Sequence, residues 1–334
     1  MQKKKLPFDI KKNKINLLLF IIFIITPILS SCQSNTNNTQ IYSTATANSE
    51  PSQFPNNPQY LSASTANITG TIVYQSSIGN DVNISIVTLP DGHSVQITNG
   101  NNDIEPSWSP DGKQIVYACK QGSHHEICTM DSDGSNKSQL TDSPADKWGP
   151  VWSPDGKQIA FVSNEVPYSH IYIIDLSTKQ IHRFLPSAKG NDSAPSYSPD
   201  GQWIAFTSDR NGFNLYKAHP DGSGEVQITF SKLDDRPKWS PDGKTIVFRR
   251  LAKNSSFFNG NEIFIVGSDG KNAKELTDNN VGDDWPSFSS DGKWIVFSEE
   301  ENGQNKLMIM SLSDNGPSQI YSTGIIGTAP EWQP

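Results

Sequence analysis

Carboxylates recur at one place in this sequence, shortly before a proline. Within four residues of five such prolines the chain carries Asp103, Glu105, Asp146, Asp192, Asp234, Asp235, Asp283 and Asp284. Carboxylates gathered on one surface bind basic groups or divalent cations, but Asp is also a common turn former with a solvated side chain. The sequence leaves both interpretations open: an electronegative binding surface, or a set of turn residues.

Three other side chains in the same segments are typical of binding surfaces. Trp148, Arg236 and Trp285 stand close to the recurring carboxylates. Trp and Arg are enriched among residues that dominate binding energy. We predict that these residues contact a partner, and packing between structural elements is the alternative for the two tryptophans.

The histidines give a weaker indication of chemistry. His124, His125 and His170 lie in predicted short loops, where imidazoles are able to bind a transition metal but are more often exposed to solvent. Motifs of serine hydrolases, P-loop nucleotide binding, His-Glu-x-x-His zinc sites and Cys-x-x-Cys pairs are all missing from the sequence. We therefore predict no catalytic residue, no cofactor and no resident metal, with a metal-dependent enzyme as the alternative.

Two cysteines occur nine residues apart, Cys119 and Cys128. They fall on the two strands of one predicted hairpin. An extracytoplasmic compartment permits a cross-strand disulfide between them, and two buried thiols are the other interpretation.

The prolines belong to a string that repeats along the chain. One copy reads Pro106-Ser-Trp-Ser-Pro-Asp-Gly-Lys-Gln-Ile-Val-Tyr117, and the leading prolines follow one another at 44, 45, 42, 49 and 44 residues as far as Pro330. Pro-Asp-Gly predicts a tight turn between two strands, because Pro presets φ and Gly accepts a positive φ. A period of this length is typical of one four-stranded propeller blade.

The strand count predicts how the ring closes. Six second, third and fourth strands are found, but the sixth first strand exists only if the terminal Pro330–Pro334 segment supplies it. We predict an all-β, six-bladed β-propeller of four-stranded antiparallel blades, closed by pairing the strands at Gly70–Tyr74 and Pro330–Pro334 in one blade. The loops that carry the carboxylates, the two tryptophans and Arg236 would then surround one mouth of the central channel. The first-strand aromatic residues are predicted core: Trp108, Trp152, Tyr197, Trp239, Phe288 and Trp332.

The repeated pattern Pro-x-Trp-Ser-Pro-Asp-Gly-Lys-x-Ile-x-Phe, followed by an Ile-Tyr strand, an Asp-Gly turn and Leu-Thr, resembles the TolB-type, WD-repeat-like propeller family over residues 67–334. The resemblance implies a propeller that binds proteins. TolB itself carries an additional amino-terminal α/β domain that engages other Tol proteins, and a different segment takes that place here. Similar propellers with histidine-bound metal are lyases, which supplies the precedent for the enzyme alternative.

The amino-terminal segment has the pattern of a secretory signal. Six lysines precede a 13-residue apolar run, Leu17–Leu29, which is too short to span a bilayer as a helix. The sequence Leu29-Ser30-Ser31-Cys32 resembles the bacterial lipobox. We predict a lipoprotein signal peptide over residues 1–31, lipidation of Cys32, and a flexible Ser/Thr/Asn/Pro-rich tether over 32–66. An ordinary secretory signal or an uncleaved anchor is the alternative.

Charge limits the class of partner. The formal net charge is −8 although residues 1–31 carry six lysines and one aspartate, so the remaining chain is more acidic still. An acidic body repels phosphate backbones, which argues against nucleic acid and favours a basic protein or peptide. The sequence therefore predicts a lipid-anchored, extracytoplasmic, non-catalytic propeller of the cell envelope, on the periplasmic side or the cell surface, that binds protein or peptide. The alternative is a metal-dependent, carbohydrate-active, lyase-like propeller enzyme.

Overall fold

The computed structural model describes residues 61–66, 68–78, 81–99, 102–164, 167–186, 189–251, 260–279, 281–312 and 319–334. The predicted signal peptide, the predicted lipidation site Cys32 and most of the predicted tether lie outside these residues. All described residues belong to one compact unit, Pro55–Pro334. Within them, no helix has the length and apolar character needed to cross a membrane.

The described chain is built from β-strands and one short 3₁₀ helix, Ala63–Ala66. In chain order the strands are β1 (Leu61–Ser62), β2 (Gly70–Ile78), β3 (Asp81–Leu89), β4 (His93–Gln96), β5 (Ile104–Trp108), β6 (Gln114–Gln121), β7 (His124–Asp131), β8 (Ser138–Gln139), β9 (Lys147–Trp152), β10 (Gln158–Ser163), β11 (His170–Asp175), β12 (Ile181–Arg183), β13 (Asp192–Tyr197), β14 (Ile204–Ser208), β15 (Asn214–Ala218), β16 (Val226–Gln227), β17 (Asp234–Trp239), β18 (Thr245–Arg250), β19 (Glu262–Gly267), β20 (Lys274–Glu275), β21 (Gly282–Phe288), β22 (Trp294–Glu301), β23 (Gln304–Ser311), β24 (Ile320–Ile326) and β25 (Thr328–Trp332).

These strands form six sheets, which confirms the predicted six-bladed propeller. Blade 1 has the order β25-β2-β3-β4. Strands β5–β8 form blade 2, β9–β12 blade 3, β13–β16 blade 4, β17–β20 blade 5 and β21–β24 blade 6. The first strands of neighbouring blades contact one another. They therefore make the inner wall around the central channel.

The repeated Ser-Pro-Asp-Gly string makes each first hairpin for a reason visible in its hydrogen bonds. In blade 2, Ser109 Oγ donates to Asp111 Oδ1 at 2.7 Å and accepts from Gln114 N at 2.9 Å, while Gly112 has a φ of 66°. The same pair of bonds recurs in blades 3 to 6. The serine and aspartate thus fix the turn that sets the register of each blade.

The hydrophobic core is divided into six clusters, one in each seam between neighbouring blades. Alternate residues of each middle strand face opposite seams, so every blade contributes to two clusters. Of the first-strand aromatic residues, four are buried and Trp152 and Tyr197 are half-buried against the same clusters. Cys119 and Cys128 lie in the seam between blades 1 and 2 and are bonded to each other, with Cα atoms 5.7 Å apart.

The ring closes as the strand count predicts. β25, from the carboxyl terminus, pairs antiparallel with β2, with Ile72 opposite Trp332. Gln333 extends the closure, because its N–H donates to Thr71 O at 2.8 Å and its side-chain amide donates to Gly112 O at 2.9 Å. The closing segment therefore connects blade 1 to blade 2 as well as completing blade 1.

A second terminal contact lies in a segment that the sequence assigns to the tether. β1 pairs in parallel with β24, Leu61 opposite Tyr321, and adds a fifth strand at the outer edge of blade 6. Ala63 and Ile68 are each 2% exposed and pack into the cluster between blades 6 and 1. The propeller thus begins several residues before the predicted boundary at residue 67.

Candidate binding site in the propeller channel

The expected ring of solvated carboxylates is not what the structure contains. Asp103, Asp192, Asp234 and Asp283 are only 4, 2, 0 and 0% exposed. Each lies three residues before the repeat proline, at or beside the start of a first strand, with its side chain inside the blade packing. The expectation that these four residues form an exposed electronegative mouth is therefore wrong.

Most of these buried acids have partners within the propeller. Asp234 accepts a hydrogen bond from Arg250 Nε at 2.6 Å, Asp192 one from Arg210 Nη2 at 3.1 Å, and Asp103 one from the backbone N–H of Lys120 at 3.2 Å. Burial raises the pKa of Asp192, and the nearby hydroxyl and guanidinium groups offset this only in part. Such contacts hold second strands to first strands and leave these carboxylates little capacity for a ligand.

Blade 3 has a lysine at the equivalent position. Lys147 is 4% exposed and its Nζ lies 2.8 Å from Glu126 Oε2, while Thr141 Oγ1 donates to the same carboxylate oxygen. Burial raises the pKa of Glu126, but the hydrogen bonds from Lys147 and Thr141 outweigh this effect, so the pKa is lowered. Asp146, one position earlier and also predicted at the binding surface, is half-buried in the loop.

Asp146 and the loop histidines are occupied by one another and by backbone. His125 donates its backbone N–H to Asp146 Oδ1 at 2.6 Å, and the His125 ring contacts the same oxygen at 3.0 Å and Asn102 O at 3.0 Å. Burial opposes ionisation of Asp146, yet the bonds from His125 lower its pKa. His124 contacts Glu126, and His170 is buried beside Asp192. In the part of the chain that the structure describes, no group of three or more His, Cys, Asp or Glu residues is arranged to hold a metal ion.

The residue before each repeat proline marks the inner wall of the channel. All six have positive φ, between 47° and 59°, and every first strand is irregular in register at this point; they are Glu105, Gly149, Ala194, Arg236, Trp285 and Ala329. A bulge of this kind re-aims a side chain, and only one of the six is the glycine that tolerates positive φ without cost. The wall therefore has large polar or aromatic groups on blades 2, 5 and 6 and small ones on blades 1, 3 and 4.

Blades 5 and 6 meet in a compact charged and aromatic cluster. The guanidinium carbon of Arg236 lies 3.5 Å from the centre of the Trp285 ring, and Arg236 Nε lies 3.0 Å from Asp284 Oδ1. Behind them the buried Arg249 bonds Asp284 Oδ2 at 2.6 Å and Asp235 Oδ2 at 2.5 Å. Stacking and ion pairing together fix the position of the Arg236 guanidinium.

A second ion pair spans non-neighbouring blades. Lys238 of blade 5 contacts Glu331 of blade 1, with Nζ and Oε2 2.7 Å apart. The other oxygen of Glu331 accepts hydrogen bonds from Ser107 Oγ at 2.8 Å and Trp108 N at 2.9 Å, both in blade 2. One carboxylate of the closing strand therefore joins three blades at the inner wall.

Glu105 faces the opposite side of the channel from Arg236, since blades 2 and 5 are opposite in a ring of six. Burial raises the pKa of the Glu105 carboxyl, and the charge of Arg236 is the largest effect that offsets it. We call Glu105, Arg236, Lys238, Asp284, Trp285 and Glu331 the channel-wall residues.

The structure brings together only part of the predicted site. Asp235, Arg236, Asp284 and Trp285 are adjacent, whereas Trp148 packs half-buried against the cluster between blades 3 and 4. Sequence reasoning missed Lys238, Arg249 and Glu331. Lys238 could have been found because it departs from the repeat pattern. The equivalent positions in blades 2, 3, 4 and 6 carry Ser, Val, Ser and Ser.

Comparison with known proteins identifies the family. A model of the TolB beta propeller domain matches residues 142–334, more than half of the chain. The chain belongs to this family. The TolB match agrees with the repeat pattern described above, and it covers blades 3 to 6 together with the closing strand.

Individual relatives extend the TolB match to most of the chain. The Tol-Pal system protein TolB of Francisella tularensis subsp. tularensis (strain WY96-3418) is 30% identical over 262 residues, which are 75% of this chain and 59% of that protein. The chain thus spans about three fifths of the length of this relative. The crystal structure of TolB from Acinetobacter baumannii has a TM-score of 0.70 at 24% identity, covering 79% of this chain and 67% of that one.

An enzyme shares the fold more distantly. Oligogalacturonate lyase in complex with manganese has a TM-score of 0.52 at 15% identity, covering 78% of this chain and 75% of that chain. At this identity the likeness concerns the fold alone.

Proposed function

We propose that this chain is a lipid-anchored, extracytoplasmic TolB-like propeller that binds a protein or peptide segment at its channel without catalysis. The anchor rests on the lipobox-like Leu29-Ser30-Ser31-Cys32 and the preceding apolar run. Protein binding is supported by relatives that are named for the Tol-Pal system. The channel-wall residues provide the charged and aromatic groups that would contact the partner.

The observation that carries the proposal is the stack of Arg236 on Trp285 at the inner wall. A guanidinium held against an aromatic face is a frequent centre of protein recognition. Gly149 and Ala194 occupy the equivalent positions of blades 3 and 4, so no large side chain stands there.

The chemistry of the wall changes the expected partner. The basic partner predicted from net charge relied on exposed carboxylates, but four of these are buried, and Asp235 and Asp284 are paired with Arg249. Glu105, Arg236 and Trp285 offer one carboxylate, one guanidinium and one aromatic face. We therefore propose a partner segment that carries charges of both signs, with an acidic side chain opposite Arg236.

The test begins by identifying the partner through crosslinking and pulldown of the tethered protein. Binding of that partner to the purified protein is then measured for Arg236→Ala and Trp285→Ala. Loss of a central contact of this kind costs about 2 kcal/mol or more, so each variant should weaken the Kd by roughly 30-fold.

A matched control removes a different cation. Lys244 is exposed on a Pro-Asp-Gly turn, at the opposite end of the first strand from the bulge, with its Nζ 3.3 Å from Asp242. Lys244→Ala should leave the Kd unchanged. Equal binding by wild type and both channel variants would place the binding surface elsewhere. Stoichiometric transition metal in the purified protein would instead favour the carbohydrate-active enzyme.

A further inference from the structure

One repeat position of the propeller carries a buried acid in blade 6 without the counter-ion found at the same position in blades 3, 4 and 5. The third residue before the proline is Asp234 in blade 5, which binds Arg250, and Lys147 in blade 3, which binds Glu126. In blade 6 it is Asp283, which is 0% exposed. The six-fold repeat thus provides its own reference for what is unusual about this site.

The surroundings of Asp283 can be compared directly with those of Lys147. Glu262 occupies the place of Glu126: its Oε2 accepts from Thr277 Oγ1 at 2.6 Å, as Glu126 accepts from Thr141, and its Oε1 accepts from Asn279 N at 3.2 Å. Asp283 therefore occupies the position from which Lys147 of blade 3 neutralises Glu126 of blade 2. A carboxyl group has replaced an ammonium group.

A third acid approaches from the neighbouring strand. Glu299 is directly opposite Asp283 in the β21–β22 register and is 2% exposed. Asp283 Oδ2 accepts a hydrogen bond from Asn279 Nδ2 at 3.1 Å, but among the described residues no group bonds the other oxygen, Oδ1, which is also buried. An ionised carboxylate with a buried, unbonded oxygen is costly, whereas the protonated form costs much less.

Among the described residues, the two cations opposite Glu262 and Glu299 on the adjacent strands are bonded to other acids. Arg250, opposite Glu262 on β18, is bonded to Asp234, and Lys306, opposite Glu299 on β23, is bonded to Glu301. Glu275 and Asp278 add negative charge near Glu262. Burial raises the pKa of Asp283 well above its ordinary value; the nearby Thr277 hydroxyl opposes this, and the charges of Glu299 and Glu262 add to it.

We propose that Asp283 is a proton switch for the inner wall of the channel. Its carboxyl group holds a proton while the seam between blades 5 and 6 is closed. Loss of that proton to solvent at higher pH leaves three repelling carboxylates, Asp283, Glu262 and Glu299, which loosen the start of β21. The next two residues of β21 are Asp284 and Trp285, so the switch acts directly on the Arg236 stack.

The direction of the pH dependence follows from the raised folded-state pKa. The contribution of Asp283 to stability is complete below the ordinary pKa of aspartate and is lost as the pH rises through the raised value. Asp283→Asn cannot ionise and keeps nearly the same shape. The Tm of Asp283→Asn should therefore exceed that of the wild type by an amount that grows as the pH rises from the ordinary aspartate pKa through the raised value.

Two measurements without any partner test the switch, so its failure is distinguishable from failure of the proposed binding. The first is Tm against pH for wild type and Asp283→Asn, with Asp234→Asn as the matched control. Asp234→Asn leaves Arg250 without its partner and should be less stable than wild type by a nearly constant margin. A constant difference between Asp283→Asn and wild type at every pH would overturn the proposal.

The second measurement follows tryptophan fluorescence against pH below the unfolding temperature. The wild type should show a transition that disappears in Trp285→Phe and in Asp283→Asn, and persistence of the transition in Asp283→Asn would refute the coupling to the wall. If Asp283→Asn does not fold, the same fluorescence measurement on Glu299→Gln tests the proposal. Removing that charge should move the wild-type transition to lower pH, and an unchanged midpoint would overturn the proposal.

Discussion

Deleting the last five residues, Pro330–Pro334, should destabilise the whole propeller rather than one blade. The deletion removes Trp332, which is 6% exposed in the cluster between blades 6 and 1. Truncation of a buried tryptophan costs about 3–5 kcal/mol. The two hydrogen bonds of Gln333 to blades 1 and 2 add about 1 kcal/mol each.

The total of about 5–7 kcal/mol is comparable to the whole stability of many domains, about 5–15 kcal/mol. The deletion also exposes the unpaired edge of β2 and removes the carboxylate of Glu331 from Lys238. We expect the Tm to fall by about 10 °C or more, or the truncated protein to be unfolded at room temperature.

The assay is thermal and urea unfolding followed by circular dichroism, with deletion of the exposed Pro334 alone as the control. The short deletion should melt close to the wild type. If the five-residue deletion melts there as well, β25 contributes little and the ring is held closed by other contacts, of which β1 on blade 6 is the first to examine.

Three further predictions concern separate parts of the chain. Cys32→Ser should abolish lipid labelling and move the protein from the membrane to the soluble fraction, and continued membrane retention would indicate an uncleaved anchor. Lys147→Ala leaves the buried Glu126 without its cation and should cost about 3–5 kcal/mol in urea unfolding, whereas Lys157→Ala, on an exposed turn, should cost less than about 1 kcal/mol; equal effects would contradict the ion-pair argument. Hydrogen bonds from the Ser177 hydroxyl and from Thr178 lower the pKa of Asp175 to about 2. The contribution of Asp175 to stability is therefore present above the ordinary aspartate pKa and is lost as the pH falls through about 2. The urea midpoint of Asp175→Asn should decline less steeply with acid than that of the wild type, and parallel curves would refute this.

The fold was predictable because its signals are local and repeated. Ser109, Asp111 and Gly112 make a turn from neighbouring side chains alone, and five copies of the motif give the blade length. Closure followed from counting strands. The contact of β1 with β24 was not predictable, since two residues, Leu61 and Ser62, carry no strand pattern and their partner is about 260 residues away.

The site was harder to predict because its contacts are distant in sequence. Arg250 reaches Asp234 across a hairpin, and Lys238 meets Glu331 only when the ring has closed. The bulge at Arg236 and Trp285 also lacks the glycine that usually signals a positive φ. The sequence does not reveal the bulge, and an Asp-rich segment before a proline resembles a solvated loop. The acids that are buried in the structure were therefore expected at the surface.

The two ends of the propeller are fastened at different radii, and this determines how it responds to mechanical load. A pull from the amino-terminal side reaches β1 at the outer rim of blade 6, where two residue pairs and the packing of Ala63 resist it. The next strand along the chain is β2, which pairs with the closing strand β25 near the centre of the disc. The contacts of β1 therefore bear the load before it reaches the pairing that closes the ring.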